Sequence, residues 1–410
     1  MKKTTLAIVV IMFAIVLVTI ITQCAKDAKP EVTPTPIPIP TAEPVPIPEP
    51  TPTPEPTPTP EPTPEPIIVP LDLSFSEITN EVLAEMIEIG DIPLRTIELN
   101  LRGNELSDLT PLESLTELSI LDLGENQISN ISALGALTEL TSLNLASNQI
   151  SDISSLRLLT EITWLDLSSN QISDIQSLRP LTELTWLDLH SNQTSDISSL
   201  RPLVKLTSLN LNHNQISDIS SLSSLTELTS LMLVFNEVID ISPLQSLTSL
   251  THLDFGVNYI DNIAALESLT ELTYLSIESN KVTNLTPLKS LTNLLHLDLS
   301  TNQIQDIAPL SSLTELVLLN LGSNQIRSIA SLKSLTTLNE LYLGSNIISD
   351  VSALSSLVQL TDLDVSYNRI SNVNALRSLV NLTGLGLYGN RVSLAQYDRL
   401  RELLPNCYIN

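Results

Sequence analysis

Cysteine, glycine and aromatic residues are all scarce in this chain. Two cysteines in 410 residues exclude a disulfide framework and a cysteine-based zinc module. Aromatics make up 3% of the chain, with only two Trp and four His, so the place of each one is informative. Positive charge is scarce as well. The 19 Lys and Arg stand against 46 Asp and Glu, and the resulting net charge of −27 excludes the electrostatic footprint of a nucleic-acid binder. What fills the chain is leucine with only ten glycines, which is the profile of a repeat array rather than of two or three ordinary domains.

The N-terminus holds the only long apolar run. Lys2 and Lys3 precede Leu6 to Thr22, with no charge until Lys26, so residues 1–24 read as a signal or membrane-anchor segment with the bulk of the chain outside the cytoplasmic membrane. The sequence Ile21, Thr22, Gln23, Cys24 resembles the lipobox of bacterial lipoproteins, which implies acylation of Cys24; an uncleaved anchor is the alternative. Either one implies a bacterial cell-envelope location, extracytoplasmic and membrane-anchored. Residues 25–71 follow as a Pro/Thr/Glu-rich disordered stalk. Pro30 to Pro70 contains 18 of the 26 prolines, and alternating prolines fix φ and remove amide donors, so this stretch favours polyproline II over helix or sheet.

From residue 95 to 393 the sequence repeats every 22 residues. An Asn recurs fourteen times from Asn104 to Asn390, always with a Leu five residues before it and an aliphatic residue, or once Phe255, three before it. Leu, any residue, Leu has the period of a strand with one buried face, and stacking such units builds a parallel sheet over a leucine core. The Asn stands where the chain turns inward and requires backbone partners there, so it reads as scaffold. Asp108, Asp152, Asp174, Asp196 and Asp218, with Asn130, Asn262 and Asn284, are placed to cap short helical turns on the return side. Two residues after the ladder Asn comes Ile, Val or Leu, except at Thr194.

The unit LTELTSLNLASNQISDISSLRL, starting at Leu137, resembles the leucine-rich repeat family, and its Asn-Gln-Ile-Ser-Asp-Ile segment is similar to the bacterial internalins. The resemblance implies an α/β fold: a right-handed solenoid with a concave parallel sheet, 3₁₀ turns on the convex side, and recognition of a protein partner on the concave face. Solenoid ends need caps. Residues 72–94 are the N-terminal cap, where Ile78, Val82, Leu83, Met86 and Ile87 fall at helical spacing before Gly90. Residues 394–410 are the C-terminal cap, with Tyr397, Leu400 and Leu403 as an apolar stripe and Cys407 packed as a small hydrophobe.

If the residues five and three before each Asn point into the stack, those six, four and two before it face the concave surface. Trp164, Trp186, His190, Met232, Val234, His252, Tyr274 and His296 all fall on such positions, with His213 and Phe235 one residue off at the strand exit. Exposed Trp, Tyr and Met anchor protein interfaces, so these ten form the candidate partner-binding set. The competing readings are a cell-envelope scaffold or spacer without a specific ligand, and a glycan-binding protein that uses the tryptophans as a sugar platform. A stripe of Asp and Asn (Asp122, Asn144, Asp166, Asp188, Asn210, Asp254, Asp298, Asn320, Asp364) shares the face. It reads first as solvated strand polarity, with a basic partner or cations as the alternative.

Catalysis finds no support. Gly384, Gly386 and Gly389 spell G-x-G-x-x-G, but on the last strand of an array rather than between a strand and a helix. A shallow open sheet is expected to desolvate little and shift few pKa values, and the adjacent-coil pair His190 and His213 lacks a third metal ligand at suitable spacing. The expectation is a monomeric, non-enzymatic protein with no cofactor, no metal and no nucleic-acid partner.

Overall fold

The structure is a computed structural model that describes residues 70–410. The anchor segment with Cys24, and the stalk up to residue 69, lie outside the described residues. Among the described residues no helix is long and apolar enough to cross a membrane.

Sixteen parallel strands run in strict chain order through one sheet. Fourteen are three-residue strands, one per repeat, from Glu98–Asn100 to Gly384–Gly386. Two-residue strands, Leu71–Asp72 and Tyr408–Ile409, close the edges. Each strand is in register with the next across one repeat, so Trp164 pairs with Trp186, Leu165 with Leu187 and Asp166 with Asp188. Thirteen 3₁₀ turns, Thr110–Ser114 through Asn374–Ser378, form the return side of a right-handed leucine-rich-repeat coil, and the sheet lines its concave side.

The core is the leucine column the repeat predicts. In the coil that starts at Leu137, seven aliphatic side chains (Leu137, Leu140, Leu143, Leu145, Ile150, Ile153 and Leu156) are at most 1% exposed. Burying each contributes about 1.5–3 kcal/mol relative to exposure, but a lone coil would leave both faces of this layer in water, so the burial exists only in the stack. Phe255 is fully buried in the place of a leucine.

Polar ladders lock the coils together. The Asn170 amide donates to the Leu145 carbonyl of the preceding coil at 2.9 Å and to Leu167 of its own at 3.1 Å, while its Oδ1 accepts the Ile150 amide at 2.9 Å. The same bonds recur along the array, and thirteen of the fourteen asparagines are buried. Thr194, the exception to the aliphatic rule, is fully buried and its hydroxyl donates to the Ile172 carbonyl of the neighbouring coil. Two further ladders are made of hydroxyls. Thr163 through Thr273 each donate to the preceding coil on the strand-entry side. Ser224 through Ser378 do so on the convex side.

The aspartates on the return side act one residue earlier than a helix cap. Asp152 Oδ1 accepts the Ser154 amide at 2.8 Å, and the residue at the cap position itself, Ile153, supplies no side-chain bond. Asn130, Asn262 and Asn284 make the same two-residue turn.

At the N-terminus, helix α1 (Asn80–Ile89) starts at Thr79, whose side chain accepts the Val82 amide, and stops at Gly90 with φ +87°. Leu83 and Ile78 are buried and Met86 and Ile87 pack on the core, but Val82 departs from the expected stripe and is exposed. Helix α2 (Leu394–Leu403) covers the other end through Leu400 and Tyr397, with Cys407 packed beside them, while Leu403 is more exposed than the stripe predicts.

Candidate protein-binding face

Leu165, Leu187, Leu253 and Leu297 are fully buried, so the alternate residues of those strands necessarily face the other side. The ten sequence candidates are therefore on the concave face or its exit edge, but nine of them form three groups rather than one cluster, and His190 stands apart on Asp188. Trp164 and Trp186 stack at 4.4 Å with rings 7° from parallel, flanked in register by the small Ser142 and Ser208. His213 and Phe235 stack at 4.7 Å and 15° at the edge, next to Met232 and Val234. His252, Tyr274 and His296 line up on three consecutive strands at 5.9 and 6.3 Å.

The edge pair carries a signal that the strand pattern does not. The residue before every ladder Asn has positive φ, +53° to +74°, because the amide must reach back over its own strand end. Ser, Gly, Thr or Glu fills most of these positions, and the left-handed region is costly for bulky side chains. His213, Phe235, Val257 and Tyr367 stand there nonetheless, and Phe235 is 44% exposed, so packing does not account for it. Exposed aromatics at a strained position that smaller residues fill elsewhere fit contact with another molecule.

The Asp and Asn stripe is first of all scaffold. Each of its members accepts the amide two residues on, as in Gly124 to Asp122 at 2.8 Å and Ser168 to Asp166 at 2.9 Å. Asn210 donates to Asp188, and Asn320 to Asp298, each at 2.8 Å, so the alternation of Asp with Asn relieves like-charge contact.

The expectation that an open sheet shifts few pKa values fails here. Burial, reinforced by Asp298, pushes Asp254 up to about 6, and burial with Asp298 and Asp254 pushes Glu278 up to about 7. The reason is local crowding: a Cβ on Gly256 would lie 3.0 Å from Glu278 Cγ, 3.3 Å from its Oε1 and 3.4 Å from Asp254 Oδ1. Two carboxylates converge over a bare glycine. Burial also raises Asp166. His190 is raised by its 2.8 Å bond to Asp188, whereas desolvation lowers His213, His252 and His296. Sequence reasoning missed Asp254 and Glu278 as a pair. The available signal was that Glu278 is the one acid among all residues two before a ladder Asn, next to one of the few glycines.

His190 bonds to Asp188, and among the described residues no group of three potential ligands could hold a metal ion. The three glycines of G-x-G-x-x-G sit on the last full strand and the turn after it, with Asp362 and Asp364 lying across Gly384 and Gly386, a context unlike a dinucleotide site.

Comparison with known proteins agrees with this geometry. The family profile described as Leucine Rich repeats (2 copies) matches residues 97–136, 120–158, 138–180, 182–224, 226–268, 270–312 and 314–356. No curated protein matches the chain. Among solved structures, an internalin (InlF) of Listeria monocytogenes is 35% identical, with 75% of this chain and 84% of that one covered and a TM-score of 0.63. A leucine-rich repeat protein of Leptospira interrogans is 25% identical over 83% of this chain and 95% of that one, with a TM-score of 0.76. The functional domain of InlJ of Listeria monocytogenes, which includes a cysteine ladder, is 25% identical over 71% of this chain and 62% of that one, with a TM-score of 0.65. Proteins of this fold commonly act in protein binding and are typically non-enzymatic. The fourteen-coil leucine stack, its asparagine ladder and these matches together establish that the chain belongs to the leucine-rich repeat family and is internalin-like.

Proposed function

We propose that this chain is a surface-tethered, non-enzymatic binding protein whose concave face recognises a protein partner. The observation that carries the proposal is the concentration of a sparse residue class: both tryptophans and all four histidines of the chain lie on seven consecutive coils of one face or its edge. Trp164 and Trp186 are the anchors, Met232, Val234, Phe235 and His213 an apolar and aromatic step, and His190, His252, Tyr274 and His296 the polar contacts. The strands before them present Ser142, Asn144 and Ala146, which gives the footprint an N-terminal limit. The tether rests on the N-terminal apolar run and the proline-rich stalk.

The test is proximity labelling on intact cells with the full chain and with Trp164→Ala/Trp186→Ala. The double substitution should remove the labelled partner while circular dichroism stays that of the wild type. An unchanged labelling profile would refute the footprint, and loss of binding on a glycan array in place of a protein partner would favour the sugar-platform reading. If replacing all ten face residues changes neither readout, the array is a spacer.

A further inference from the structure

All four histidines of a 410-residue chain lie on the concave face of one sheet or, for His213, at its exit edge. The same strip holds Asp166, Asp188, Asp254, Glu278 and Asp298, and its inward-curving positions from Trp164 to Ser300 include no Lys or Arg. Outside this strip the chain has no histidine, the side chain whose ordinary pKa lies just below neutral. The histidines therefore collect on one strip of the array.

The geometry sets the direction. Asp254 and Glu278 converge over Gly256 in a half-buried row that also contains Asp298, with Tyr274 between His252 and His296 alongside. The charged groups facing these are few. His190 bonds to Asp188 and also feels Asp166, while the charge that acts on His213 is His190, on His252 is His296 and on His296 is Glu340. The nearby Lys281 lies over the Tyr259 ring at 4.9 Å, at the exit edge. Among the described residues no cation forms an ion pair with Asp254 or Glu278.

We infer that the concave face is a proton-operated binding surface, which holds a basic segment of a protein partner near neutral pH and releases it on mild acidification as the carboxylate pair neutralises and the histidines charge. This rests on the reading of the face as the partner-binding surface. Asp254 and Glu278, raised to about 6 and about 7, change charge between neutral and mildly acidic pH, and His190, raised by its bond to Asp188, takes up its proton at higher pH than the other three histidines. Each change moves the face in the positive direction. The three remaining histidines, lowered by desolvation, follow at lower pH.

The probe is a lysine decapeptide, with its affinity for the full-length protein measured by calorimetry at about pH 7.5 and about pH 5.5 at one ionic strength. The wild type should lose about tenfold or more on acidification, and Asp254→Asn/Glu278→Gln/His190→Gln less than about twofold. Peptide bound elsewhere on this acidic chain contributes equally to both proteins, so the difference between their losses reports on the face. Equal losses in both proteins, or no loss in the wild type, would overturn the switch. Because the probe needs no natural partner, the two readings can fail separately: labelling that survives the tryptophan substitutions sinks the footprint, and a flat pH response sinks the switch.

Discussion

Replacing Asn236 by Ala removes one rung from the middle of the asparagine ladder. Its amide donates to Leu211 of the preceding coil at 2.9 Å and to its own Leu233 at 3.2 Å, and its Oδ1 accepts the Ile216 amide at 3.0 Å. Asn236 is 7% exposed, so water cannot take over these bonds without opening the junction. Leaving a buried donor or acceptor without a partner costs about 1–3 kcal/mol each. The Ile216 amide is orphaned, whereas the Leu211 and Leu233 carbonyls each lose one bond but keep those from Asn214 at 3.2 Å and Asn258 at 2.8 Å, so the loss should be about 2–4 kcal/mol. Asn390 makes the same three bonds, to Val365 at 2.8 Å, Leu387 at 3.0 Å and from Ile370 at 2.9 Å, but it is only half-buried beside the terminal cap. There water replaces part of what is lost, and Asn390→Ala should cost about 1–2 kcal/mol. Urea denaturation followed by circular dichroism gives both values. Because a solenoid is coupled only to nearest neighbours, native-state hydrogen exchange should also show the Asn236→Ala lesion centred on the coils flanking residue 236. Equal losses for the two variants, or a loss below about 1 kcal/mol at Asn236, would refute the idea that burial of the amide ladder holds the coils in register.

Two further outcomes follow from the concave face. Asp254 has its pKa raised by folding from 3.8 to about 6, so the stabilisation from its protonation is full below the unfolded value and is lost as pH rises through about 6. Asp254→Asn, which keeps the acceptor for the Gly256 amide as Asn320 does for Gly322, should therefore raise stability at about pH 7.5 by roughly 1–2 kcal/mol and change little near pH 4. A gain of the same size at both pH values would contradict the buried-charge account. For the tryptophan pair, a double-mutant cycle with Trp164→Ala and Trp186→Ala should return a coupling of about 0.5–1.5 kcal/mol; additive losses would mean that the stacked geometry contributes nothing beyond burial.

Much of this was legible in the sequence because a repeat removes the usual ambiguity of short apolar runs. A single triplet of Leu, any residue and an apolar residue is consistent with many environments. Fourteen of them at 22-residue spacing fix which face is inward, since a slip by one residue would expose every leucine at once. Trp164 and Leu165 were separable for that reason. What escaped notice were effects of crowding between coils. The Thr and Ser ladders bond residues 22 or 23 apart, and the convergence of Asp254 and Glu278 depends on Gly256 in the preceding coil. The turn aspartates were placed at the right residues, with the hydrogen bond one position away from the expected cap. Val82 failed because helical spacing gives a face but not what covers it.

The sequence alone determined the architecture: periodicity and leucine placement dictate the coil, the strand register and the identity of the inward column, because these depend on side-chain direction and burial, which repeat with the chain. Only the tertiary structure decided the chemistry of the face. Whether two aromatic rings stack, whether an Asp is relieved by an Asn or crowded by a Glu, and which carboxylates lose their water are set by neighbours one coil away, at distances of a few ångströms that no linear pattern contains.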